Sequence, residues 1–139
     1  MSYRPIIKPE QHPAYEATDS KRILTVLISG DICDARGVLA GMSLLGPCQR
    51  SPYDLHPDME EVFYVISGHG TARIDDVEYP IQQGDVMYVQ NGSYHQFTAG
   101  PDSSLHLFWA FNAHPDEEFK EKFKKWNQVS WPIPRESVA

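Results

Sequence analysis

The sequence predicts an all-β protein, a barrel or a sandwich, from three observations. Short runs rich in β-branched and aromatic residues recur between residues 23 and 111. Turn-forming residues separate these runs at short intervals. A length of 139 residues with 41% hydrophobic residues suits one core and is too short for two ordinary domains. The predicted strands cover residues 23–28, 38–45, 62–66, 71–74, 86–89, 95–98 and 105–111.

The breaks between the predicted strands have an explicit turn chemistry. Glycine, aspartate, asparagine and proline tolerate the tight or left-handed backbone that such turns require. These residue types occur in segments 67–70, 75–76, 83–85, 91–92 and 100–102. Because strands joined by such short connections are mostly antiparallel, we expect an antiparallel arrangement.

The two ends of the chain differ in pattern from the middle. Residues 1–20 carry three prolines among polar residues and are predicted to form an N-terminal arm, followed by a barrel over 21–114. Residues 115–139 are predicted to form one C-terminal helix and a tail. The helix is expected to begin near Pro115, because proline suits the first turn, acidic residues follow it and lysines crowd its end.

The predicted helix has one apolar stripe. Phe119, Phe123 and Trp126 follow the i, i+4, i+7 spacing of a single helix face. This spacing predicts packing against the outside of the barrel.

The net charge, the start of the sequence and the length of its apolar runs bear on partners and location. Nineteen acidic and 12 basic residues give a net charge of −7, which repels nucleic acid and anionic membranes. Prolines and charges replace the apolar stretch of a secretion signal at the start, and the apolar runs are too short to cross a bilayer. We therefore expect a soluble cytoplasmic protein, with Cys33 and Cys48 as reduced thiols.

One stretch between two predicted strands concentrates residues that bind metals. Asp54 and His56 are two residues apart, so an extended segment directs both side chains to one face. Glu61 shares its face with Phe63 and Val65. A carboxylate among apolar neighbours costs several kcal/mol when unpaired, so a bound cation or a protonated histidine is its expected partner.

A second stretch adds His95 just after a turn, and together the two stretches resemble the paired motifs of the cupin superfamily. The first motif, in which the family has Gly, His-x-His, Glu and Gly, falls here on Cys48, Asp54, His56, Glu61 and Gly68. The second, in which the family has Gly, Pro-x-Gly, His and Asn, falls on Gly84, Gln90, Gly92, His95 and Ala99. The spacing of both motifs is kept.

The resemblance implies a small antiparallel cupin barrel, a double-stranded β-helix or jelly roll, with its site inside. It also implies that Asp54, His56, Glu61 and His95 converge on one divalent metal ion, and that the protein is a homodimer. The family's first histidine is Asp54 here, which favours iron or manganese, with zinc or nickel as further candidates. Two alternatives stay open: Asp54 points away and leaves a three-residue site, or the metal has been lost and these side chains form a hydrogen-bond network.

Residues near the predicted metal site are candidates for the wall of the cavity and for a general acid or base. Phe63, Val65 and Phe97 are expected to form a dry wall. His106 alternates with Leu105 and Leu107, which favours a position outside the barrel or under the helix, but on reversed faces it is a candidate general acid or base.

Two functional hypotheses follow from the predicted site. The first is a metal-dependent enzyme acting on a small oxygen-bearing organic molecule, with dioxygenase chemistry slightly favoured over isomerase or lyase chemistry. The second is a non-catalytic cupin that binds or senses a small ligand.

Overall fold

The computed structural model describes residues 5–112 and 117–134, and within them the chain forms ten strands and two short α-helices. The first half contains β1 (Ala14–Glu16), β2 (Arg22–Ile28), α1 (Gly30–Cys33), β3 (Leu39–Leu45) and β4 (Glu61–Ser67). The second half contains β5 (His69–Ile74), β6 (Val77–Gln82), β7 (Val86–Val89), β8 (His95–Ala99), β9 (Leu105–Phe111), α2 (Glu117–Phe123) and β10 (Asn127–Val129). A 3-10 turn, Pro9–Gln11, precedes β1.

The strands form two antiparallel sheets that face each other. The large sheet has the order β10-β1-β2-β3-β9-β4-β7, and the small sheet has the order β6-β5-β8. The predicted all-β class and the antiparallel arrangement of the strands are confirmed. Side chains from both sheets form one continuous hydrophobic core between them.

All seven predicted strands are present, and three further strands lie outside the predicted set. Most of β6 is exposed, so β6 lacks a strong apolar pattern, and it contains Pro80. Strands β1 and β10 have three residues each and pair with each other, which only the folded chain reveals. The boundary predicted at residue 20 stays a prediction, although β1 already belongs to the large sheet.

The C-terminal helix ends at Phe123, before the last residue of the predicted stripe, and packs near the N-terminal strand. The predicted start at Pro115 and the side chain of Phe119 lie outside the described part of the chain. Phe123 and Trp126 pack against the core between the sheets, whereas the stripe predicted packing on the outside of the barrel, and Trp126 lies beyond the end of α2. The rings of Phe123 and Tyr15 stack with centroids 4.2 Å apart, which ties α2 to β1.

Strand β9 is the centre of the large sheet and sets the inner face of the barrel. It pairs with β3 along its whole length and with β4 on its other side. Its buried residues Leu105, Leu107, Trp109 and Phe111 belong to the core between the sheets. Gly41 on β3 makes room for the Trp109 ring, because a Cβ there would lie 2.7 Å from that ring and would overlap the carbonyl oxygen of Thr25.

Among the described residues, the two short α-helices fall well below the length and apolar character that a membrane span requires.

Candidate metal centre

Glu61 is a buried carboxylate at the start of β4. Its exposed fraction is 3%, whereas its neighbour Val62 is 44% exposed, so strand alternation turns Glu61 inward. It lies opposite Val89 on β7 and Phe111 on β9, and both of these residues are buried. The large sheet therefore places one carboxylate at the end of an apolar surface.

His56 and His95 approach Glu61 from the other side of the barrel. The Nε2 atoms of His56 and His95 lie 3.1 Å and 3.3 Å from Glu61 Oε1. Ligand-type atoms of the three residues all lie within 4.8 Å of one another. Three of the four predicted ligands are thus brought together.

Backbone hydrogen bonds hold the two histidines in place. The amide of Asp54 donates to the carbonyl of His95 at 3.1 Å, and the amide of His95 donates back at 2.8 Å. The amide of Gly92 donates to the carbonyl of His56 at 2.9 Å, and Gly92 has a φ of +80° that favours glycine. The turn that leads into β8 therefore positions both imidazoles.

His95 is oriented as metal-binding histidines commonly are. Burial is the main cause that lowers its pKa, and His56 adds to this effect, while the Ser93 carbonyl and Asp54 act in the opposite direction. Its Nδ1 lies 3.4 Å from the carbonyl oxygen of Ser93, which can only accept a hydrogen bond. The neutral ring then directs the Nε2 lone pair toward Glu61.

This arrangement fits a cation. A neutral His95 with its proton on Nδ1 presents a lone pair to a carboxylate oxygen 3.3 Å away. Two acceptors at this distance repel each other unless a positive charge lies between them or beside them. Two imidazole nitrogens and one carboxylate are a common donor set for iron, manganese and zinc.

Asp54 differs from the other three predicted ligands. It is exposed, and its carboxylate accepts a hydrogen bond of 2.9 Å from the amide of Leu55. It lines the same cavity but does not belong to the group of three converging ligand atoms. Its role as a ligand stays a prediction.

A cavity of about 100 Å³ lies between the sheets beside Glu61. Phe63 and Phe97, predicted as wall residues, line it with ring centroids 4.6 Å apart. Val65, the third predicted wall residue, is completely buried in the core and is not among the residues that line the cavity. The sequence interpretation missed several lining residues, and they come from elements distant in sequence: Arg22, Leu24, Ser43, Leu45, Ser51, Trp109, Phe111 and Lys122.

His106 lies on the opposite face of the large sheet. It is buried, its Nε2 lies 3.4 Å from Met42 Sδ, and its ring lies 5.3 Å from that of Trp131 in the C-terminal tail. Burial lowers its pKa to about 4. The structure therefore does not bring the predicted general acid or base to the cavity, because the alternation of β9 turns it away.

The comparisons with known proteins agree with the fold. The model of the Cupin domain family matches residues 41–111, which is 71 of 139 residues and just over half of the chain. No functionally curated protein gives a significant sequence match.

Solved structures of low sequence identity share the architecture. A protein from Thermotoga maritima described as a predicted oxalate decarboxylase is 18% identical, with a TM-score of 0.67, covering 77% of this chain and 97% of that one. An RmlC-like cupin from Shewanella frigidimarina is 17% identical, with a TM-score of 0.67, covering 86% of this chain and 99% of that one. A sugar phosphate isomerase from the cupin superfamily of Silicibacter pomeroyi is 22% identical, with a TM-score of 0.59, covering 68% of this chain and 60% of that one.

At these identities the likeness concerns the fold alone. The family model and the two facing antiparallel sheets, with three converging metal-type ligands, agree on one classification. This chain belongs to the cupin domain family.

Proposed function

We propose that this cupin is a metal-dependent enzyme that acts on a small organic molecule bearing oxygen. The observation that carries the proposal is the convergence of His56, Glu61 and His95 at a small, largely apolar cavity. A site with two histidines and one carboxylate leaves coordination positions open for a substrate. Iron or manganese is favoured, and zinc or nickel suits the same donors.

The residues of the chain have separate tasks in this proposal. His56, Glu61 and His95 would hold the metal, which when bound would polarise a substrate oxygen or activate dioxygen. Phe63 and Phe97 exclude water from that end of the cavity, where charge interactions become stronger. Trp109 and Phe111 line the cavity from the large sheet.

The donor set and the structural neighbours favour different reaction types. The two-histidine, one-carboxylate set favours dioxygenase chemistry slightly. The structural neighbours described as a predicted oxalate decarboxylase and as a sugar phosphate isomerase favour lyase or isomerase chemistry on oxygen-rich substrates. Oxygen uptake by the iron-loaded protein, in the presence of small hydroxy and keto acids, separates the first reaction type from the other two.

Glu61→Gln tests the metal site, and Glu60→Gln is its matched control. Glu60 is the adjacent carboxylate, exposed and bound to the hydroxyl of Tyr88 at 2.6 Å. We expect the wild type and Glu60→Gln to bind about one Fe²⁺ or Mn²⁺ per chain, and Glu61→Gln to bind it about 100-fold more weakly. Elemental analysis after anaerobic loading and dialysis measures this. Failure of the wild type to retain any of the four candidate metals contradicts the proposal.

One observation favours the second candidate, a non-catalytic cupin that binds a small ligand. The only described histidines that line the cavity are His56 and His95, and His106 lies on the other face of the sheet. Among the described acidic and histidine residues that line the cavity, Asp54 is therefore the one candidate general acid or base outside the three converging ligands. Ligand binding without turnover, in protein that carries no metal, would establish this candidate.

A further inference from the structure

Arg22 is a buried cation at one end of the cavity. It is the first residue of β2 and shares the inward face of that strand with Leu24. Its exposed fraction is only 7%, although arginine is among the residues least often buried. Arg22 lies opposite Leu45 on β3, and Leu45 lies opposite Leu105 at the start of β9.

The guanidinium of Arg22 has few protein partners. Its Nε donates one hydrogen bond of 3.2 Å to Ser20 Oγ, and its Cζ lies 5.0 Å from the ring centroid of Trp126. Within the described residues no carboxylate lies within 4 Å of it, and its other four N–H groups donate to no protein atom. Asp19 is near enough to raise its pKa, but burial has the larger effect and lowers it.

A buried guanidinium with so few hydrogen-bond partners favours the binding of an anion. Burying a charge costs several kcal/mol unless a charged or hydrogen-bonding partner compensates it, and arginine does not escape by losing its proton. Its forked donors match the two oxygens of a carboxylate. The positive charge at this end of the cavity is opposite in sign to the net charge of −7 of the whole chain.

Lys122 reinforces the positive end. It lines the same cavity from α2, and its Nζ lies 5.9 Å from the ring centroid of Trp126. Arg22 and Lys122 thus lie near the same indole ring, and both residues line the cavity from different elements.

The two ends of the cavity are separated along β9. Arg22 lies level with Leu105, and Glu61 lies level with Phe111. These two positions on β9 are six residues apart, which corresponds to about 20 Å of extended backbone. The inward-pointing side chains shorten the distance across the cavity. A volume of about 100 Å³ accommodates on the order of eight non-hydrogen atoms. Leu24 and Leu107 line the cavity between these two ends, and Leu45 lines it at the level of Arg22.

We propose that the ligand of this cavity is an elongated organic acid, whose carboxylate pairs with Arg22 beside Lys122 while its apolar body points toward the triad of His56, Glu61 and His95. The assignment of the far end to a reacting group rests on the proposed function. The pairing with Arg22 does not, because it needs no metal.

Calorimetric titration of the metal-free protein with hexanoate and with hexanamide tests the pairing. Both probes have eight non-hydrogen atoms, and at neutral pH only hexanoate is charged. We expect hexanoate to bind at least about tenfold more tightly than hexanamide, a difference that one charge-assisted bidentate contact readily provides. Equal affinities, or no binding of hexanoate at millimolar concentration, would overturn the proposal.

Arg22→Gln and Lys21→Gln locate the effect. Lys21 is the adjacent cation, it is exposed, and it does not line the cavity. We expect Arg22→Gln to lower hexanoate affinity at least about tenfold and to leave hexanamide affinity within about twofold, whereas Lys21→Gln changes neither. Unchanged hexanoate affinity in a folded Arg22→Gln variant contradicts the pairing. If this variant does not fold, the wild-type preference for hexanoate over hexanamide decides alone.

Glu61→Gln separates this inference from the proposed function. Preference for hexanoate in both the wild type and Glu61→Gln, together with loss of metal only in the variant, supports both proposals. Preference for hexanoate in a wild type that binds no metal supports the anion site and overturns the enzyme proposal. Metal binding with no preference for hexanoate overturns the anion site and leaves the enzyme proposal intact.

Discussion

Two histidines of this chain are buried to a similar degree but have different surroundings. His95 is 8% exposed and faces the carboxylate of Glu61, whereas His106 is 6% exposed and faces Met42 and the ring of Trp131. The first has a polar partner that suits metal binding. Among the described residues, the second has only a thioether sulfur as a close polar neighbour, and burial lowers its pKa.

His106 should make the free energy of unfolding depend on pH. Its folded pKa of about 4 lies below the value of about 6.5 expected in the unfolded chain. Between these values the unfolded chain binds a proton that the folded chain does not, so stability is complete above pH 6.5 and falls as the pH falls toward 4. We expect His106 to account for about 2 kcal/mol of lost stability between pH 7 and pH 5.

Urea denaturation at both pH values, for the wild type and His106→Gln, measures this dependence. The variant should lose less stability on acidification than the wild type. His69→Gln serves as the control, because His69 is half-exposed at the start of β5 and its Nε2 lies 3.2 Å from Asp102 Oδ1. An identical loss in the wild type and His106→Gln would refute the assignment.

Single residues also show how far the site was predictable. The resemblance of the two motifs to those of the cupin family predicted that His56, Glu61 and His95 converge, and the structure brings them together. Arg22 belongs to neither motif, and its role depends on which side of β2 faces the cavity. The alternation of Arg22 with Leu24 was the one available signal, and it acquires meaning only once the partner strands are known.

At the scale of the elements, the turn between β4 and β5 carries the chain from the large sheet to the small one. Gly68 forms this turn with a φ of +87°, in the left-handed region that favours glycine. A Cβ at this position would also overlap the carbonyl oxygen of Ser104. Gly84 has a similar φ of +95°, but a Cβ there would meet open space.

The pair Gly68→Ala and Gly84→Ala separates backbone strain from steric overlap. We expect Gly84→Ala to cost about 1 kcal/mol, since only the left-handed backbone is penalised. Gly68→Ala should cost about 2 to 4 kcal/mol more, because the backbone of residue 104 must also move. Thermal unfolding of both variants measures the difference, and equal midpoints would show that the structure relieves the overlap without cost.

The elements that sequence patterns missed have a common physical cause. Strands β1 and β10 are too short for a hydrophobic period to be visible, and they exist because each completes the hydrogen bonds of a neighbour. Strand β6 lies at the edge of the small sheet, where its exposed side chains need no apolar pattern. Longer strands with one face in the core, such as β4 and β9, were predictable from alternation.

For the molecule as a whole, an exposed apolar patch lies on the outer face of the large sheet near its β7 edge. Tyr64 lies opposite both Phe108 and Val86, and Val62 lies opposite Tyr88, so the patch is continuous across three strands. All five side chains are exposed, Val86 by 73%. Contiguous exposed apolar surface next to an open sheet edge is typical of an interface.

We propose that this patch joins two copies of the chain in a homodimer. Val86→Glu should weaken the dimer at least about tenfold, since a charge would have to be buried in the interface. Val77→Glu is the control, because Val77 is half-exposed on the small sheet. Light scattering coupled to size exclusion at micromolar concentration measures the mass. A monomeric wild type would contradict the proposal.

The order of strands in the large sheet has a consequence for synthesis on the ribosome. Strand β9 lies between β3 and β4, yet it follows both in the chain. The end of β4 at residue 67 and the end of β9 at residue 111 are 111 − 67 = 44 residues apart, which takes about 2 to 9 seconds to translate. During that time β3 and β4 lack their shared neighbour and present open edges to other nascent chains. The large sheet therefore cannot form strand by strand in the order of synthesis, because its central strand is translated after both of its neighbours.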